Sequence, residues 1–315
     1  MTMLLWILAG VAGTVVMMGA SHFVVRHAVA AAEKLHVSPF LIGFTLVAVG
    51  TDMPEIFNSI VASYLGHGDI NVGDSIGSVF TQGSLMLGLF PFIAGSVLRV
   101  ERREVLLLPG LAIVALAIGV LLMADGGISR LDAAVLILVW VVLTGVAWRY
   151  GTVTPETPKS EPAPGGALPH VALALVALAV VGAAAGVVVF AIVAISASIG
   201  VPEYILSFFG ASVATSMPEF AVAFTALWRG QREIAMGDVL GACLVDASFS
   251  VAIGPLLFPT PVTASLAIRG SIIAAVTMLL AGVLLGVRGK HDRISGAVLL
   301  GVYLIGYIFL FAAAS

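Results

Sequence analysis

Ten long apolar segments constrain the fold of this chain more than any single motif does. They lie near residues 3–25, 38–65, 72–97, 105–124, 131–149, 170–199, 202–228, 235–258, 263–287 and 294–314. A helix needs about 20 mostly apolar residues to cross a bilayer, and each segment is about that long or longer. Because 60% of the residues are hydrophobic and only 10% are charged, little sequence remains for a soluble domain. We therefore expect an all-α polytopic membrane protein with ten transmembrane helices.

Charge and cysteine content exclude other classes of protein. The formal net charge is −3, and the chain has no basic tract that could neutralise the phosphates of a nucleic acid. Its one cysteine, Cys243, can form no intramolecular disulfide and offers no thiolate metal site. We expect no nucleic-acid partner, no cofactor and no enzymatic activity, and the sequence points to no protein partner. We expect the lipid bilayer to surround the protein.

The placement of Lys and Arg predicts the orientation of the spans. Counted over alternate connections, one side carries twelve of these residues and the other carries only Arg130 and Arg269. Short cytoplasmic loops are enriched in Lys and Arg, so the first side is expected in the cytoplasm and both termini outside, in the plasma membrane. A proline-rich stretch, 151–169, reads as a cytoplasmic linker between residues 1–150 and residues 170–315.

An internal repeat relates these two halves. At an offset of 164 residues, the MPE string at 53–55 aligns with 217–219, and the GD pair at 73–74 aligns with 237–238. The register holds without a gap between the two matches. Two halves of five spans each must enter the membrane from opposite sides, which is the arrangement of many secondary transporters. We expect two inverted five-helix repeats.

A proline interrupts one long apolar segment in each repeat. Pro54 and Pro218 each remove a helical hydrogen bond and free the carbonyl group four residues earlier, at Gly50 and Ala214. In hydrocarbon a freed carbonyl needs a partner, which a bound cation can provide. We therefore expect broken helices near the midplane of the membrane, where inverted-repeat transporters bind their substrates.

Acidic residues lie in or beside the predicted spans with no Lys or Arg to accompany them. There are six, namely Asp52, Glu55, Asp74, Glu219, Asp238 and Asp246. A charged side chain at the centre of a bilayer costs roughly 3 kcal/mol, so acids at that depth are functional candidates. Protons or cations from solution must neutralise them. Oxygen ligands without nearby cysteine or histidine favour hard cations such as Ca²⁺, Mg²⁺ or Na⁺.

Spacing brings further polar residues to these acids. Glu55 shares a helical face with Thr51 and Asp52, and the second half repeats this pattern with Thr215, Ser216 and Glu219, while Gln82 aligns with Asp246. Asp74 and Asp238 open their predicted spans, so each is either a helix cap or part of an ion entrance. The role of His22, a lone histidine in the first span, stays open.

The two proline motifs, GTDMPEIFNSIVAS at 50–63 and VATSMPEFAVAFTA at 213–226, resemble the two alpha repeats of the sodium/calcium exchangers in the calcium/cation antiporter superfamily. GDSIGSVFTQG at 73–83 and GDVLGACLVDA at 237–247 resemble the third and eighth helices of that family. The resemblance implies a short prokaryotic antiporter that exchanges Ca²⁺ for Na⁺ at a shared acidic site. It also implies that the first and sixth spans slide against the bundle that holds the site.

The resemblance further implies a set of cation ligands. These are Glu55 and Glu219 as central calcium ligands, Asp246 at an acidic central position, side-chain oxygens of Asp52, Gln82, Thr51, Thr215, Ser216 and Ser78, and backbone carbonyls near Ala48 and Ser212. The sequence departs from the family at several of these places. Asp52 replaces a small residue, Ala242 replaces a ligating serine, and Asp74 and Asp238 replace asparagine.

Two alternatives therefore remain. The extra carboxylate of Asp52 could bind a proton, favour a divalent ion or strengthen sodium binding, so proton-coupled transport of Ca²⁺, Mg²⁺ or Mn²⁺ stays open. The string Gly66-His67-Gly68-Asp69 matches the GxGD motif of intramembrane aspartyl proteases. A protease needs a second aspartate at matching depth, and the chain has no Tyr-Asp partner motif, so this alternative is the weaker one.

Overall fold

The computed structural model describes residues 3–34, 52–99, 102–150, 166–228 and 232–312. Most of these residues are helical. The α-helices are α1 (Met3–Lys34), α2 (Met53–Tyr64), α3 (Gly68–Thr81), α4 (Leu87–Ile93), α5 (Arg102–Leu122), α6 (Arg130–Tyr150), α7 (Ala167–Ile199), α8 (Glu203–Leu206), α9 (Ser212–Thr215), α10 (Met217–Trp228), α11 (Arg232–Val245), α12 (Val251–Leu257), α13 (Ala264–Arg288) and α14 (Arg293–Ala312). Within the same ranges, π-helical turns join consecutive α-helices at π1 (Gln82–Met86), π2 (Ser207–Ala211) and π3 (Asp246–Ser250).

Eight helical segments in the described part of the chain are long and apolar enough to cross a membrane, or nine if the bent pair of Glu203–Thr215 and Met217–Trp228 is one span. The prediction of a helical membrane protein is confirmed, whereas the number ten stays a prediction. The first half of the second predicted span, 38–65, lies outside the described residues, which resume at Asp52. The third begins earlier than expected, since α3 starts at Gly68 rather than near residue 72.

Helices in the two halves recur at the offset found in the sequence. The pairs α2 and α10, α3 and α11, π1 and π3, and α4 and α12 begin and end at positions that differ by 164 residues. The first helices, α1 and α7, start at Met3 and Ala167 and pack against each other. These described elements therefore recur in the same order and register in both halves, whereas the counterparts of α8, π2 and α9 fall outside the described residues.

Two short antiparallel strand pairs connect the halves. Strand β1 (Leu98–Arg99), after α4, pairs with β4 (Lys290–His291), before α14. Strand β2 (Gly127–Ile128), before α6, pairs with β3 (Thr260–Pro261), after α12. In each pair, a strand that follows α4 or α12 is paired with a strand that precedes α14 or α6, so each pair contains one strand from each half.

Two of the most buried helical segments carry part of the candidate site, including Asp74, Gln82 and Asp246. In the segments Gly68–Ile93 and Ala235–Leu257, 78% and 72% of the most apolar 18 residues are buried, against 17% in α1. Close approach of backbones contributes to this packing. A Cβ atom on Gly77 of α3 would overlap the backbone of Phe208 in π2, so the contact between these elements requires glycine.

A proline inside each of α4 and α12 leaves a carbonyl group without its helical donor. Pro91 has no N–H for the carbonyl of Leu87, and the Nε2 atom of His291 lies 2.7 Å from that oxygen. In the other half, Pro255 frees the carbonyl of Val251, which accepts a 3.0 Å hydrogen bond from Asn71 Nδ2. A side chain from another part of the chain thus replaces the missing donor in both halves.

Candidate functional site

The second proline motif lies at a break between two helices. Helix α9 ends at Thr215, α10 begins at Met217, and the two parts of this bent pair differ in direction by 43°. The residue between them, Ser216, has φ −76° and ψ 7°. Asp52, the residue before α2, has almost the same conformation, with φ −78° and ψ 9°. The break predicted near Pro218 is therefore confirmed, and the backbone at its counterpart before Pro54 has the same local geometry.

The acidic residues of both halves are buried together. Glu55, Asp74, Glu219 and Asp246 are 0% exposed and Asp52 is 1% exposed. Among the residues whose burial is described, no Lys or Arg is buried. The carboxylates also lie close enough to repel one another, as Glu55 does with Asp246 and Asp74. The cluster carries much more negative than positive charge, and a compensating positive charge must come from solution.

Several of these carboxylate oxygens have no hydrogen-bond partner. Both oxygens of Asp52 and both of Glu219 are buried and unpartnered, as are Oε2 of Glu55 and Oδ1 of Asp246. Glu55 Oε1 accepts a 3.3 Å hydrogen bond from Ser216 Oγ. Burying a charged oxygen without a partner is costly, so these atoms suit a cation that is bound and released.

Position 52 and position 216 have equivalent surroundings but different chemistry. Ser216 contacts Glu55, and Asp52 lies beside Glu219 in the corresponding place of the other half. A serine hydroxyl can donate a hydrogen bond to a glutamate, whereas an ionised aspartate cannot. Position 216 therefore supplies a donor to Glu55, whereas position 52 supplies a further carboxylate next to Glu219.

Gln82 presents its amide nitrogen, rather than its oxygen, to the cluster. Its Nε2 atom donates to Asp246 Oδ2 at 3.0 Å and lies 3.4 Å from Ser216 Oγ. Its Oε1 atom accepts from Cys243 Sγ at 3.3 Å. In this arrangement Gln82 holds Asp246 instead of offering an oxygen to a cation. Sequence reasoning missed the part played by Cys243, for which the chain offers no motif.

The remaining predicted residues divide into three groups. Ser78 Oγ is buried without a partner and is free to bind a ligand. Ser212 Oγ lies 3.2 Å from Thr81 Oγ1, and the carbonyl of Ser212 accepts the N–H of Ser216 at 3.2 Å. Thr51 and Ala48 lie outside the described residues.

Asp74 and Asp238 do not cap the helices that contain them. Helices α3 and α11 begin six residues before these aspartates, so both lie well inside a helix. The cap interpretation is therefore wrong, because it assumed that the helices start later. Asp74 instead accepts hydrogen bonds from Thr215 Oγ1 at 2.9 Å and Asn58 Nδ2 at 2.5 Å. Asp238 is partly buried, and its Oδ2 atom has no partner.

Two other features bear on the function. Within the described residues, no three His, Cys, Asp or Glu side chains are already arranged to hold a metal ion. Hydroxyl, amide or carbonyl oxygens would thus have to complete any cation site.

Both oxygens of Asp69, in the protease-like string, accept hydrogen bonds from Thr263, the residue before α13. This aspartate therefore has a structural role at a helix start.

The fold and this cluster define a class: a polytopic helical membrane protein with acidic residues buried at helix breaks. A model of the family described as sodium/calcium exchanger protein matches residues 5–149 and 169–312. The chain therefore belongs to the sodium/calcium exchanger family, whose members are membrane antiporters rather than enzymes.

Individual relatives agree with this assignment. The inner membrane protein YrbG of Escherichia coli (strain K12) is 32% identical over 235 residues, which is 71% of each chain. The structure of the sodium-calcium exchanger NCX_Mj matches with a TM-score of 0.60 and 25% identity, covering 98% of this chain and 99% of that one. The structure of the H⁺/Ca²⁺ exchanger CAX matches in fold, with a TM-score of 0.68, 16% identity, and coverage of 98% and 86%.

Proposed function

We propose that this protein exchanges Ca²⁺ for Na⁺ across the membrane by alternating access, using one acidic site for both ions. The observation that carries the proposal is the pair Glu55 and Glu219, one from each proline motif, both buried and both with unpartnered oxygens. A divalent cation between them would compensate both charges. Sodium ions entering the same cluster would compete for those charges, which is the requirement for exchange.

The arrangement proposed for the chain is two inverted repeats of five helices, residues 1–150 and 170–315, joined by the linker 151–169. The recurrence of elements at one offset, the packing of α1 on α7 and the two strand pairs that join opposite halves support it. The asymmetry of Lys and Arg supports a cytoplasmic linker and termini outside. A plasma-membrane location is consistent with the name of YrbG, an inner membrane protein.

The proposed cation shell combines the two glutamates with neighbouring oxygens. Asp52, Asp246, Ser78 and Ser216 offer side-chain oxygens in the described part of the site, and Thr215 offers its hydroxyl; Thr51 and the backbone near Ala48 and Ser212 are proposed on family resemblance alone. Oxygen donors of this kind suit Ca²⁺ and Na⁺. We assign Gln82 to holding Asp246, which departs from the ligand role predicted from the sequence.

Proton-coupled exchange is the second candidate, and Asp52 favours it. Its carboxylate faces Glu219 with no donor between them, so one proton shared by the pair would remove the repulsion. Ala242, where the family is expected to carry a ligating serine, weakens one sodium site in addition. The fold likeness to an H⁺/Ca²⁺ exchanger is compatible with this candidate but does not argue for it.

Uptake of ⁴⁵Ca²⁺ into proteoliposomes tests both candidates, with an outward Na⁺ gradient compared with an outward H⁺ gradient at matched membrane potential. We expect uptake driven by Na⁺, and its loss in Glu55→Gln and in Glu219→Gln with normal insertion. Glu203→Gln is a matched control, because Glu203 is paired with His67 at 2.9 Å outside the cluster. Transport retained in both site variants would remove the proposal, and uptake driven only by H⁺ would select the second candidate.

A further inference from the structure

Asp74 differs from the other buried acids because both of its oxygens already accept hydrogen bonds. Thr215 Oγ1 donates to Oδ1 at 2.9 Å, and Asn58 Nδ2 donates to Oδ2 at 2.5 Å. Asp52 and Glu219, by contrast, have four buried oxygens without a partner. A carboxylate whose two oxygens both accept hydrogen bonds from neutral donors has no unsatisfied oxygen. Asp74 is therefore suited to fixing its neighbours rather than to binding a cation directly.

The neighbour that Asp74 fixes is Thr215, whose hydroxyl has a single proton. Three acceptors lie within reach of it: Asp74 Oδ1 at 2.9 Å, the carbonyl of Ala211 at 3.0 Å and the carbonyl of Ser212 at 3.5 Å. A threonine inside a helix usually donates to the carbonyl four residues earlier. Hydrogen bonds to an ionised acceptor are about twice as strong as neutral ones, so among these three acceptors the proton is drawn to Asp74. The carboxylate of Glu55 also interacts with this hydroxyl and competes for the same proton.

This orientation matters because a hydroxyl can bind a cation only through its oxygen. Thr215 lies beside Glu55 as well as Asp74, so its side chain joins the aspartate to the acidic cluster. With its proton directed at Asp74, the lone pairs of Oγ1 are turned away from that residue. Asn58, on α2, keeps the carboxylate in place from its other side.

We propose that Asp74 is a positioning residue: held by Asn58, it orients the hydroxyl of Thr215 so that the oxygen faces the transported cation. The inference rests on the cation site proposed above. The Asn58 contact has no counterpart in the other half, since Val222 takes the place of Asn58 there and Asp238 Oδ2 has no partner. Thr51, which corresponds to Thr215, lies outside the described residues. The half that contains Thr215 thus has a ligand oriented by an acid that does not bind the ion.

A double-mutant cycle between Asp74 and Thr215 tests the proposal. Thr215→Val removes the hydroxyl, Asp74→Leu removes the acceptor, and the pair is combined in one chain. The apparent affinity is read from the rise in melting temperature of the purified protein with increasing Ca²⁺ and, separately, Na⁺. This readout needs neither a gradient nor knowledge of the coupling ion. If neither ion stabilises the wild-type protein, the proposed function itself fails.

If Asp74 acts through Thr215, each single variant should weaken cation binding about tenfold, and the double variant should be no weaker than Thr215→Val alone. Asp74→Asn should lose less affinity than Asp74→Leu, because its amide oxygen still accepts from Thr215, although without the charge that strengthens this bond, and its amide nitrogen can face Asn58 Oδ1, which has no partner. The Asp74→Asn variant also serves if Asp74→Leu does not fold.

Other results would overturn the proposal. Effects that multiply to about a hundredfold in the double variant would make Asp74 an independent ligand. A loss in Asp74→Asn as large as in Asp74→Leu would mean that its charge, not its hydrogen bonding, matters. The matched comparison combines Asp238→Leu with Thr215→Val. The losses of cation affinity in the two single variants should multiply in this double variant, because Asp238 has no hydrogen bond to Thr215.

Discussion

Replacing His291 with leucine should destabilise the protein by about 1–3 kcal/mol, because it leaves a buried carbonyl without a donor. The carbonyl is that of Leu87, which cannot form its helical hydrogen bond because Pro91 has no N–H. His291 Nε2 lies 2.7 Å from this oxygen, and His291 and Leu87 are both 0% exposed. A carbonyl only accepts hydrogen bonds, so Nε2 carries the proton.

The magnitude follows from what else the substitution changes. Leucine keeps the apolar volume of the site approximately, so the lost hydrogen bond is the main effect. Ser295, which contacts Nδ1 of His291 at 2.8 Å, keeps its bonds to Asp292. The penalty is therefore that of one unsatisfied carbonyl group. His291→Gln should cost less, since its amide nitrogen can still donate to Leu87.

The assay is thermal unfolding of the purified protein in detergent. The matched comparison is Asn71→Leu, which removes the donor to the equivalent carbonyl, that of Val251. We expect a smaller loss there, because Asn71 Oδ1 has no partner and its removal offsets part of the penalty. If His291→Leu unfolds at the wild-type temperature, the freed carbonyl is not satisfied by His291 and the reasoning fails.

The same residue gives stability a pH dependence. Burial lowers the pKa of His291 below its ordinary value of 6.5, and Arg288 acts in the same direction, against Leu87 and Asp292. The folded state thus binds a proton less readily than the unfolded state, so stability falls as the pH drops below about 6.5 towards the lowered pKa. Asp292 stays ionised in this range, because the backbone N–H of Ser295 and the side chains of Arg288 and Lys290 hold its pKa low. His291→Gln should remove this part of the pH dependence.

Two further substitutions test contacts around the site. Gly77→Ala should destabilise the protein by about 1–3 kcal/mol, since its Cβ would overlap the backbone of Phe208, whereas Gly241→Ala, at the equivalent position with nothing within 4 Å, should leave the melting temperature nearly unchanged. Equal changes in melting temperature in the two variants would show that the contact between Gly77 and Phe208 does not require glycine. Cys243→Ala should weaken Ca²⁺ binding a few-fold, because the amide of Gln82 would then be free to turn. Cys243→Ser restores a donor and should recover the affinity. Weakened Ca²⁺ binding in both variants would contradict this role of Cys243.

The sequence predicts the backbone of this protein better than its side-chain contacts. The alignment of 53–55 with 217–219 anticipates helices that start at Met53 and Met217, and the proline at position 218 anticipates the break at Ser216. These features follow from local rules, because proline removes a specific hydrogen bond and a duplicated segment repeats its backbone. Burial of the acids is also predictable, since they lie in apolar segments.

Side-chain pairing could not be predicted in the same way, because it depends on which atoms meet across helices. The amide of Gln82 could face the cluster with either its oxygen or its nitrogen, and the neighbour that selects the nitrogen, Cys243, is distant in sequence. The π-helical turn at Gln82–Met86 has no sequence signal of its own. The start of α3 at Gly68, six residues before Asp74, was also missed, because the apolar pattern begins only near residue 72. The donor for Leu87, His291, lies 204 residues away.

The two halves share a repeated backbone but differ in their side chains, and this difference affects the balance between the inward-facing and outward-facing states of a transporter. If inverted repeats swap conformations during transport, identical repeats would make the inward-facing and outward-facing states equal in free energy apart from the membrane itself. In this chain Asp52 corresponds to Ser216 and Gln82 to Asp246, so the two halves place an additional aspartate at different positions. A bound cation interacts more strongly with a carboxylate than with a hydroxyl or an amide, so a state that brings it nearer to Asp52 differs in free energy from one that brings it nearer to Asp246. The departures from repeat symmetry, rather than the shared fold, are therefore where the preference for a coupling ion and a direction must arise.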